Sequence, residues 1–215
     1  MKKILVFVVA LVLFSCKNIE TPFEGLYFYF EKPQPLNEKE LSKFPSNYLG
    51  SFTSIDSTSF EINENSILKF KNYTGKISFQ DYNVMMDSMK DSEKEIIKSH
   101  QMKFRKLKDS VQESWVDIDT FFKISENQKL KKIKNSLVLN FKDSLWDIKI
   151  LSLNKKALTL KDIYSFDDLS RLDSLSKQKS KPIDSSKYIF NLSRNEFKKM
   201  LQLKHLGFDR VLIKK

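Results

Sequence analysis

Two carboxylates placed two residues apart form the pattern in this sequence that most suggests chemistry. Asp117 and Asp119 lie in the segment Trp115-Val116-Asp117-Ile118-Asp119-Thr120. Residues at i and i+2 of a β-strand point to the same side, so both carboxylates would face one surface. Such a pair can bind a calcium ion or take part in acid–base chemistry if further oxygen ligands come from elsewhere. The sequence indicates no such ligands. A polar strand face or a turn is the favoured interpretation, and the pair is a weak metal-site candidate.

Several aromatic residues offer a second kind of chemistry, the stacking of rings on a sugar or a lipid. The residues that could line such a sugar- or lipid-binding face are Tyr27, Tyr29, Tyr48, Phe52 and Trp115. Packing in the core or at a sheet edge is the favoured explanation for them, since aromatic side chains contribute strongly to cores.

Residue patterns of common catalytic sites are missing from the sequence. His100 and His205 are its two histidines, and neither has a second ligand at a metal-binding spacing. The chain contains no Gly-rich phosphate loop, no G-x-S-x-G and no H-E-x-x-H. We therefore expect a protein that is not an enzyme and that carries no cofactor.

The N-terminus has the order of features found in secretory signal peptides. Lys2 and Lys3 supply positive charge, residues 4–14 are uninterruptedly apolar, and Ser15 is a small residue. The apolar run is too short to cross a bilayer, which takes about 20 residues. The sequence therefore predicts export, with residues 1–15 as the signal peptide.

The only cysteine follows that signal directly. Leu13-Phe14-Ser15-Cys16 resembles a bacterial lipobox, although Phe14 replaces the usual small residue at that position. The resemblance implies cleavage between Ser15 and Cys16, and a diacylglycerol on the Cys16 thioether that anchors the protein to a membrane. An ordinary signal peptide with an incidental cysteine is the alternative. A single cysteine also excludes a disulfide within the chain.

The charge of the chain is strongly positive. The sequence holds 38 Lys and Arg against 27 Asp and Glu, a formal net charge of +11. Predicted export argues against nucleic acid as the partner. The dense basic runs at residues 103–108 and 129–134 are expected to be solvated faces, with contact to anionic lipid headgroups as the alternative.

The hydrophobic pattern predicts an α+β, β-rich fold. We expect an antiparallel meander, either a curved sheet or a partial barrel, with a few short helices. Alternating apolar residues and turn signals are clearest in residues 136–163, which predict three antiparallel strands. Further strands and hairpins are predicted at positions 48–54, 59–62 with 66–71, 104–115, 120–124, 187–191 and 208–213. Gly75 is expected at a turn.

Helices are expected at four places. A short helix is predicted at residues 38–43, and a longer one at 84–98 whose methionine face would pack in the core rather than bind a metal or partner. Two more begin at Ser165 and Ser193, the latter with a capping box and with Gly207 as its left-handed cap. Residues 101–117 are read as a hairpin, with a helix as the open alternative.

The chain resembles small flavobacterial-type lipoproteins of the Bacteroidota. The lipobox carries most of the resemblance, with weaker support from Phe30-Glu31-Lys32-Pro33-Gln34-Pro35, Asp119-Thr120-Phe121-Phe122-Lys123-Ile124 and Arg194-Asn195-Glu196-Phe197-Lys198-Lys199. It implies a lipidated N-terminus and tether over residues 16–35 and one β-rich domain over 36–215. The expected place is the periplasmic face of the outer membrane. The expected role is partner binding or scaffolding, and the alternative is a lipocalin-like carrier of a lipid or small apolar ligand.

Overall fold

A single continuous sheet dominates the structure. The structure is a computed structural model that describes residues 25–99, 102–154 and 157–215. The sheet has fourteen strands in these residues. They are β1 (Tyr27–Phe30), β2 (Glu40–Leu41), β3 (Gly50–Ser54), β4 (Ser59–Ile62), β5 (Ser66–Ile77), β6 (Lys103–Lys106), β7 (Val111–Lys123), β8 (Gln128–Ile133), β9 (Ser136–Lys142), β10 (Trp146–Asn154), β11 (Ala157–Asp162), β12 (Lys181–Pro182), β13 (Lys187–Phe190) and β14 (Phe208–Lys214).

Short helices fill the connections. In the described residues they are α1 (Phe79–Ser88), α2 (Asp91–Ser99), α3 (Phe166–Leu175) and α4 (Arg194–Met200), with a 3-10 turn at Ser46–Tyr48. Capping boxes open α3 at Ser165 and α4 at Ser193, where the serine side chain accepts from the third helical amide and an acidic side chain bonds back. None of these helices is both long and apolar enough to cross a membrane.

The strands follow the order β12-β13-β1-β10-β11-β14-β3-β4-β5-β7-β6, and β9, β8 and β2 extend from the other edge of β10. Neighbours are antiparallel except β1 and β13, which run parallel. The predicted α+β, β-rich fold class with an antiparallel curved sheet is confirmed. The meander at 136–163 and the hairpin across 104–115 are confirmed as well.

The sheet curls into an incompletely closed roll, because strands far apart in the sheet order share one core. Ile67 on β5 and Phe122 on β7 belong to the same buried cluster as Leu130 on β8 and Leu139 on β9. We call this cluster the inner core. It is filled by large side chains, among them the fully buried Tyr48, Phe44, Phe52 and Phe60.

A second cluster lies on the opposite face of β9 and β10, beneath α3 and α4, and we call it the outer core. Trp146, Ile148 and Ile150 alternate along β10 toward this side, while Leu151 belongs to the inner core. Helices α3 and α4 cover it with apolar side chains that include Leu172 and Phe197.

The predicted boundary between tether and domain at residue 36 is wrong. Strand β1 is integral to the sheet, and its Phe28 and Phe30 are buried in the outer core. Gln34 is 2% exposed and its backbone amide donates to Asn140 Oδ1 at 2.6 Å. The domain therefore begins no later than Leu26. Positions 16–24 of the predicted tether lie outside the described residues.

Two local predictions fail for tertiary reasons. Residues 38–43 form no helix, because Glu40–Leu41 pairs with β8 and the Glu40 carboxylate accepts an ion pair from Lys129 at 3.1 Å. Gly75 is not at a turn but inside β5, opposite Glu113, whose side chain lies over the space where a Cβ would stand.

The predicted helix over 84–98 is two helices, α1 and α2, and its methionine face is not in the core. Val84 and Met86 are exposed, and Met85 and Met89 are only partly buried. Both helices belong to the connection between β5 and β6. Tyr82 on α1 contacts Phe104 on β6, with 5.4 Å between the ring centroids.

Candidate functional site

A cleft opens where the sheet divides beside β10. The first residue of β10 pairs with β1, Trp146 opposite Phe30, and from Ile150 onward the same edge pairs with β11. The ends of β1 and β11 meet there, and the Leu26 amide donates to the Tyr164 carbonyl at 2.6 Å. The resulting mouth cleft, at one end of the roll, has a volume of about 720 Å³. That volume is within the range of small-molecule and cofactor sites.

Aromatic rings form much of the cleft wall. Tyr27 and Tyr29 stand parallel, with centroids 6.4 Å apart, and Phe121 and Phe141 meet edge to face at 6.0 Å. A register shift in the β5–β7 ladder at Ile67 leaves Phe121 without a partner on β5, so that it joins Phe122 in contact with Phe141.

Charged side chains complete the wall, four of them cations and three of them acids: Lys69, Lys142, Lys149 and Arg210, and Asp143, Asp147 and Asp162. Lys149 and Asp162, directly across the β10–β11 ladder, form an ion pair. Arg210 also acts beyond the cleft on Asp56: burial opposes ionisation of that carboxyl, hydrogen bonds from Thr58 and Ser54 favour it, and the Arg210 charge adds a smaller effect, so that the pKa of Asp56 is lowered. Lys142 stands over the Trp146 ring at 5.7 Å. Ionised pairs and cation–π contacts of this kind keep charge in a partly desolvated site.

Asp147 differs from the other charged groups of the cleft. It is partly buried, and its one hydrogen bond in the described residues comes from the Ile148 amide, which donates to Oδ1 at 2.6 Å. Burial raises the pKa of Asp147, the charge of Lys149 lowers it, and Asp162 raises it further. The net shift is upward, so the site does not fully compensate the ionised carboxylate.

Tyr29 lies beside Asp147. Continuing the β1–β10 register from Phe30 opposite Trp146 places Tyr29 next to Asp147, and burial followed by the Asp147 charge raises the pKa of the Tyr29 hydroxyl. On the other side, Asp147 is paired with Phe141 of β9. A carboxylate thus stands between two aromatic residues.

Beyond the cleft, β5 and β7 continue as a pair of antiparallel strands, with β6 paired to the other edge of β7, and we call this three-stranded unit the arm. Strand β4 pairs with β5 only as far as Phe70, whereas β7 pairs with β5 to Ile77. Tyr73 and Trp115 stack on the arm at 5.1 Å between centroids and 14° between planes. On the opposite face Val116 and Ile118 are 38% and 55% exposed.

The structure places Asp117 on the arm and Asp119 just before it on β7, and neither lies in a metal site among the described residues. Each stands directly across the ladder from a lysine, Asp117 from Lys71 and Asp119 from Lys69. No group of three or more His, Cys, Asp or Glu side chains in the described part of the chain is arranged to hold a metal ion. The two carboxylates belong to a cross-strand charge ladder, which stabilises paired strands modestly.

The remaining candidates are distributed between core and cleft. Tyr48 and Phe52 pack in the inner core, as favoured above, whereas Tyr27 and Tyr29 line the cleft. His205 adopts a positive φ of 58° in the turn after α4, and its carbonyl accepts a hydrogen bond from Arg171 at 2.8 Å. Ser15, Cys16 and His100 lie outside the described residues.

Sequence reasoning missed Asp147, Phe141 and Arg210. Asp147 belongs to the alternating run Trp146-Asp147-Ile148-Lys149-Ile150, which has the pattern of a strand with one solvated face. One signal was available in the sequence: Asp147 and Lys149 share the strand face opposite the apolar side chains of this run. That this face points into the roll, and not to solvent, depends on the curl of the sheet.

Comparison with family models, curated proteins and solved structures finds no match to this chain.

Proposed function

We propose that this chain is a lipid-anchored protein of the bacterial cell envelope that binds a partner protein and performs no catalysis. The observation that supports the binding role is the arm, where antiparallel strands continue beyond the cleft and β7 exposes the apolar side chains of Val116 and Ile118 on one face. Exposed apolar side chains grouped on a projecting element are typical of interaction surfaces.

The proposed anchor is the lipidated Cys16. The chain from Cys16 to Gly25 can span at most about 30 Å when extended, which would keep the domain close to the bilayer surface. Two or more acyl chains suffice for stable attachment, since each buried methylene contributes about 0.8 kcal/mol. We propose the periplasmic face of the outer membrane as the location.

Metabolic labelling tests the anchor. Cells that express the chain with Cys16→Ala should incorporate no labelled palmitate into it, and Val116→Ser, which leaves the lipobox intact, should be labelled like the parent. Labelling of the Cys16→Ala chain would refute the anchor. Protease treatment of intact cells should leave the domain uncut, whereas its removal would place it on the cell surface.

Site-specific photo-crosslinking in living cells tests the partner. A photoreactive residue at Ser114, on the arm, should give a discrete adduct with one envelope protein, and the adduct should disappear when Ile118→Ser is added. A photoreactive residue at Val211, which is 50% exposed on β14, is the matched control and should give none. An adduct from Ser114 whose yield is unchanged by Ile118→Ser, or an equal yield of adduct from Val211, would refute the arm as the binding surface.

A carrier of a small ligand is the second candidate, and the volume of the mouth cleft favours it. The inner core of the roll is filled by Tyr48, Phe52 and other large side chains, so a ligand would occupy the mouth and not the interior. Native mass spectrometry of the full chain, followed by organic extraction, should detect a stoichiometric adduct if the carrier role holds, and a ligand-free mass if it does not.

A further inference from the structure

The inner face of the roll changes from apolar to basic where it reaches the mouth cleft. On β14, Leu212 is buried in the inner core, and Arg210 lies two residues earlier on the same strand face. On β5, Lys69 stands directly across the ladder from Phe60, which also belongs to the inner core. Facing residues of a ladder lie on one side of a sheet, so both cations belong to the inner face, and both line the cleft.

The charges of the mouth cleft are divided between two sides. On the β10–β11 side, Lys149 pairs with Asp162 and its charge also acts on Asp147, so that two acids share one ammonium. On the other side, β5 and β14 contribute Lys69 and Arg210 to the lining and no acid. The adjacent lysine and aspartate of the β9–β10 turn balance each other. Because the whole lining holds four cations and three acids, the excess positive charge lies on the β5–β14 side.

Arg210 carries positive charge on that side without a bonded partner in the described part of the chain. Its partly buried guanidinium makes no hydrogen bond or ion pair there, and the acid on which its charge acts, Asp56, accepts from the Thr58 amide at 3.0 Å. The other acid near this side, Asp119, stands across the ladder from Lys69. A guanidinium offers five N–H donors in a planar fork and is weakly hydrated, which suits it to bind a carboxylate through two parallel hydrogen bonds.

The cleft wall beside these two cations is apolar. Phe121 packs edge to face on Phe60, the ladder partner of Lys69, with 5.5 Å between the ring centroids. Leu160 faces Arg210 across the β11–β14 ladder. A ligand that satisfies both features has an anionic end and an apolar body. One excess positive charge matches a singly charged carboxylate better than a doubly charged phosphate monoester.

We propose that the mouth cleft binds a carboxylate that carries an alkyl chain, with the carboxylate on Arg210 and the chain along Leu160 and Phe121. This inference rests on the carrier candidate and names the chemical class of its ligand. Lys69 supplies a second positive charge on the same side of the cleft. The alkyl chain lies in the cleft and not beneath it, because large side chains fill the inner core.

Saturation-transfer NMR tests the proposal on the full chain, purified in dodecyl maltoside because that detergent carries no charge. The probes are sodium hexanoate and the neutral 1-hexanol, each measured at neutral pH against micelles without protein. We expect the parent to bind hexanoate at least about tenfold more tightly than 1-hexanol, since hydrogen bonds between charged groups are the strong ones. Arg210→Gln should remove this preference. The variant should fold as the parent does, because the Arg210 side chain bonds to no other described residue.

Two further variants keep the test specific. Arg210→Lys keeps the positive charge but not the planar fork, and should bind hexanoate about threefold to tenfold more weakly than the parent. Lys142→Gln removes a cation that lines the same cleft but stands over the Trp146 ring, and should change hexanoate binding by less than about twofold. Equal hexanoate binding by the parent and Arg210→Gln, or an equal loss in Lys142→Gln, would overturn the proposal.

The head group and the carrier role are read separately. Hexyl phosphate should bind no more tightly than hexanoate, and tighter binding would overturn the carboxylate. Native mass spectrometry with organic extraction should recover a carboxylic acid from the parent and not from Arg210→Gln. A stoichiometric adduct without a carboxylate, together with no preference for hexanoate, would overturn this inference and leave the carrier candidate standing. A ligand-free mass together with no hexanoate binding would overturn both.

Discussion

Two aspartates, one on each side of the sheet, differ in how many backbone amides donate to their carboxylates. Asp168, in α3 on the helix-covered face, is 2% exposed, and its carboxylate accepts from the amides of Gly207 at 2.7 Å, Ser165 at 3.0 Å and Tyr164 at 3.2 Å. Asp147, in the mouth cleft, accepts from one amide. The Asp168 carboxylate thus accepts three backbone hydrogen bonds, whereas the Asp147 carboxylate accepts one.

The pKa values follow this difference. Burial opposes ionisation of Asp168, but hydrogen bonds from Gly207, Ser165 and Tyr164 outweigh it and hold the pKa of Asp168 below its ordinary value. Burial prevails at Asp147 and its pKa is raised. The fold therefore favours the ionised form of Asp168 and disfavours that of Asp147.

The largest expected effect is at Asp168. Asp168→Asn would place an amide NH₂ group against backbone N–H donors, and we expect the free energy of unfolding to fall by about 3 kcal/mol. Denaturant unfolding monitored by tryptophan fluorescence measures the change. Asp167→Asn is the control, because Asp167 is 82% exposed and its loss should cost no more than about 0.5 kcal/mol. Equal losses at the two positions would show that the buried hydrogen bonds of Asp168 do not stabilise the fold.

The same pair of variants has a pH signature. The pKa of Asp168 is lower in the folded protein than in the unfolded chain, where it lies near 3.9, so its contribution to stability is present above about pH 4. That contribution is lost as the pH falls through the folded value. The stability difference between the parent and Asp168→Asn should therefore be constant at pH 5–7 and shrink below about pH 4. A difference that persists unchanged at low pH would mean that the Asp168 charge is not what stabilises the fold.

An intermediate effect is expected at Asn140, which extends the contrast to an uncharged group. Asn140 is fully buried, accepts from the Gln34 amide at 2.6 Å and donates to the Gln34 carbonyl at 2.8 Å, joining the segment after β1 to β9. Asn140→Ala should lower the free energy of unfolding by about 2 kcal/mol, since both backbone groups lose their partner. The exposed Asn154 is the control. A cost as small as that of Asn154→Ala would show that water or rearrangement satisfies Gln34.

Much of the fold is encoded locally and was accessible from the sequence. The meander at 136–163 combines two-residue alternation with turn residues, and the capping box at Ser193 needs only residues within one helical turn. The failed predictions lie where distant contacts decide. Residues 38–43 extend because β8 offers a ladder, and β1 joins the domain because β10 and β13 lie on either side of it.

The candidate site could be predicted only in part. Tyr27 and Tyr29 could be named as surface aromatics, because strand alternation places them on one side. Asp147 could not, since its alternation is the same as that of a solvated strand face and its burial depends on the curl of strands distant in sequence. Asp117 and Asp119 share a face as predicted, but Lys71 and Lys69 across the ladder make that face a charge ladder.

The smallest expected effect, and the only one of opposite sign, is at Asp147. Its folded pKa lies above the unfolded value, so any stability linked to it is present below about pH 4 and lost as the pH rises through the folded pKa. Asp147→Asn removes that loss, and we expect the variant to be more stable than the parent by about 1 kcal/mol at pH 7, because the partly buried position no longer holds a charge. Near pH 4 the gain should diminish. Asp143→Asn, in the same cleft, should change stability by less than about 0.5 kcal/mol at either pH. If Asp147→Asn instead destabilised the protein at pH 7, the Asp147 carboxylate would be satisfied as that of Asp168 is, and the contrast between the two aspartates would fail.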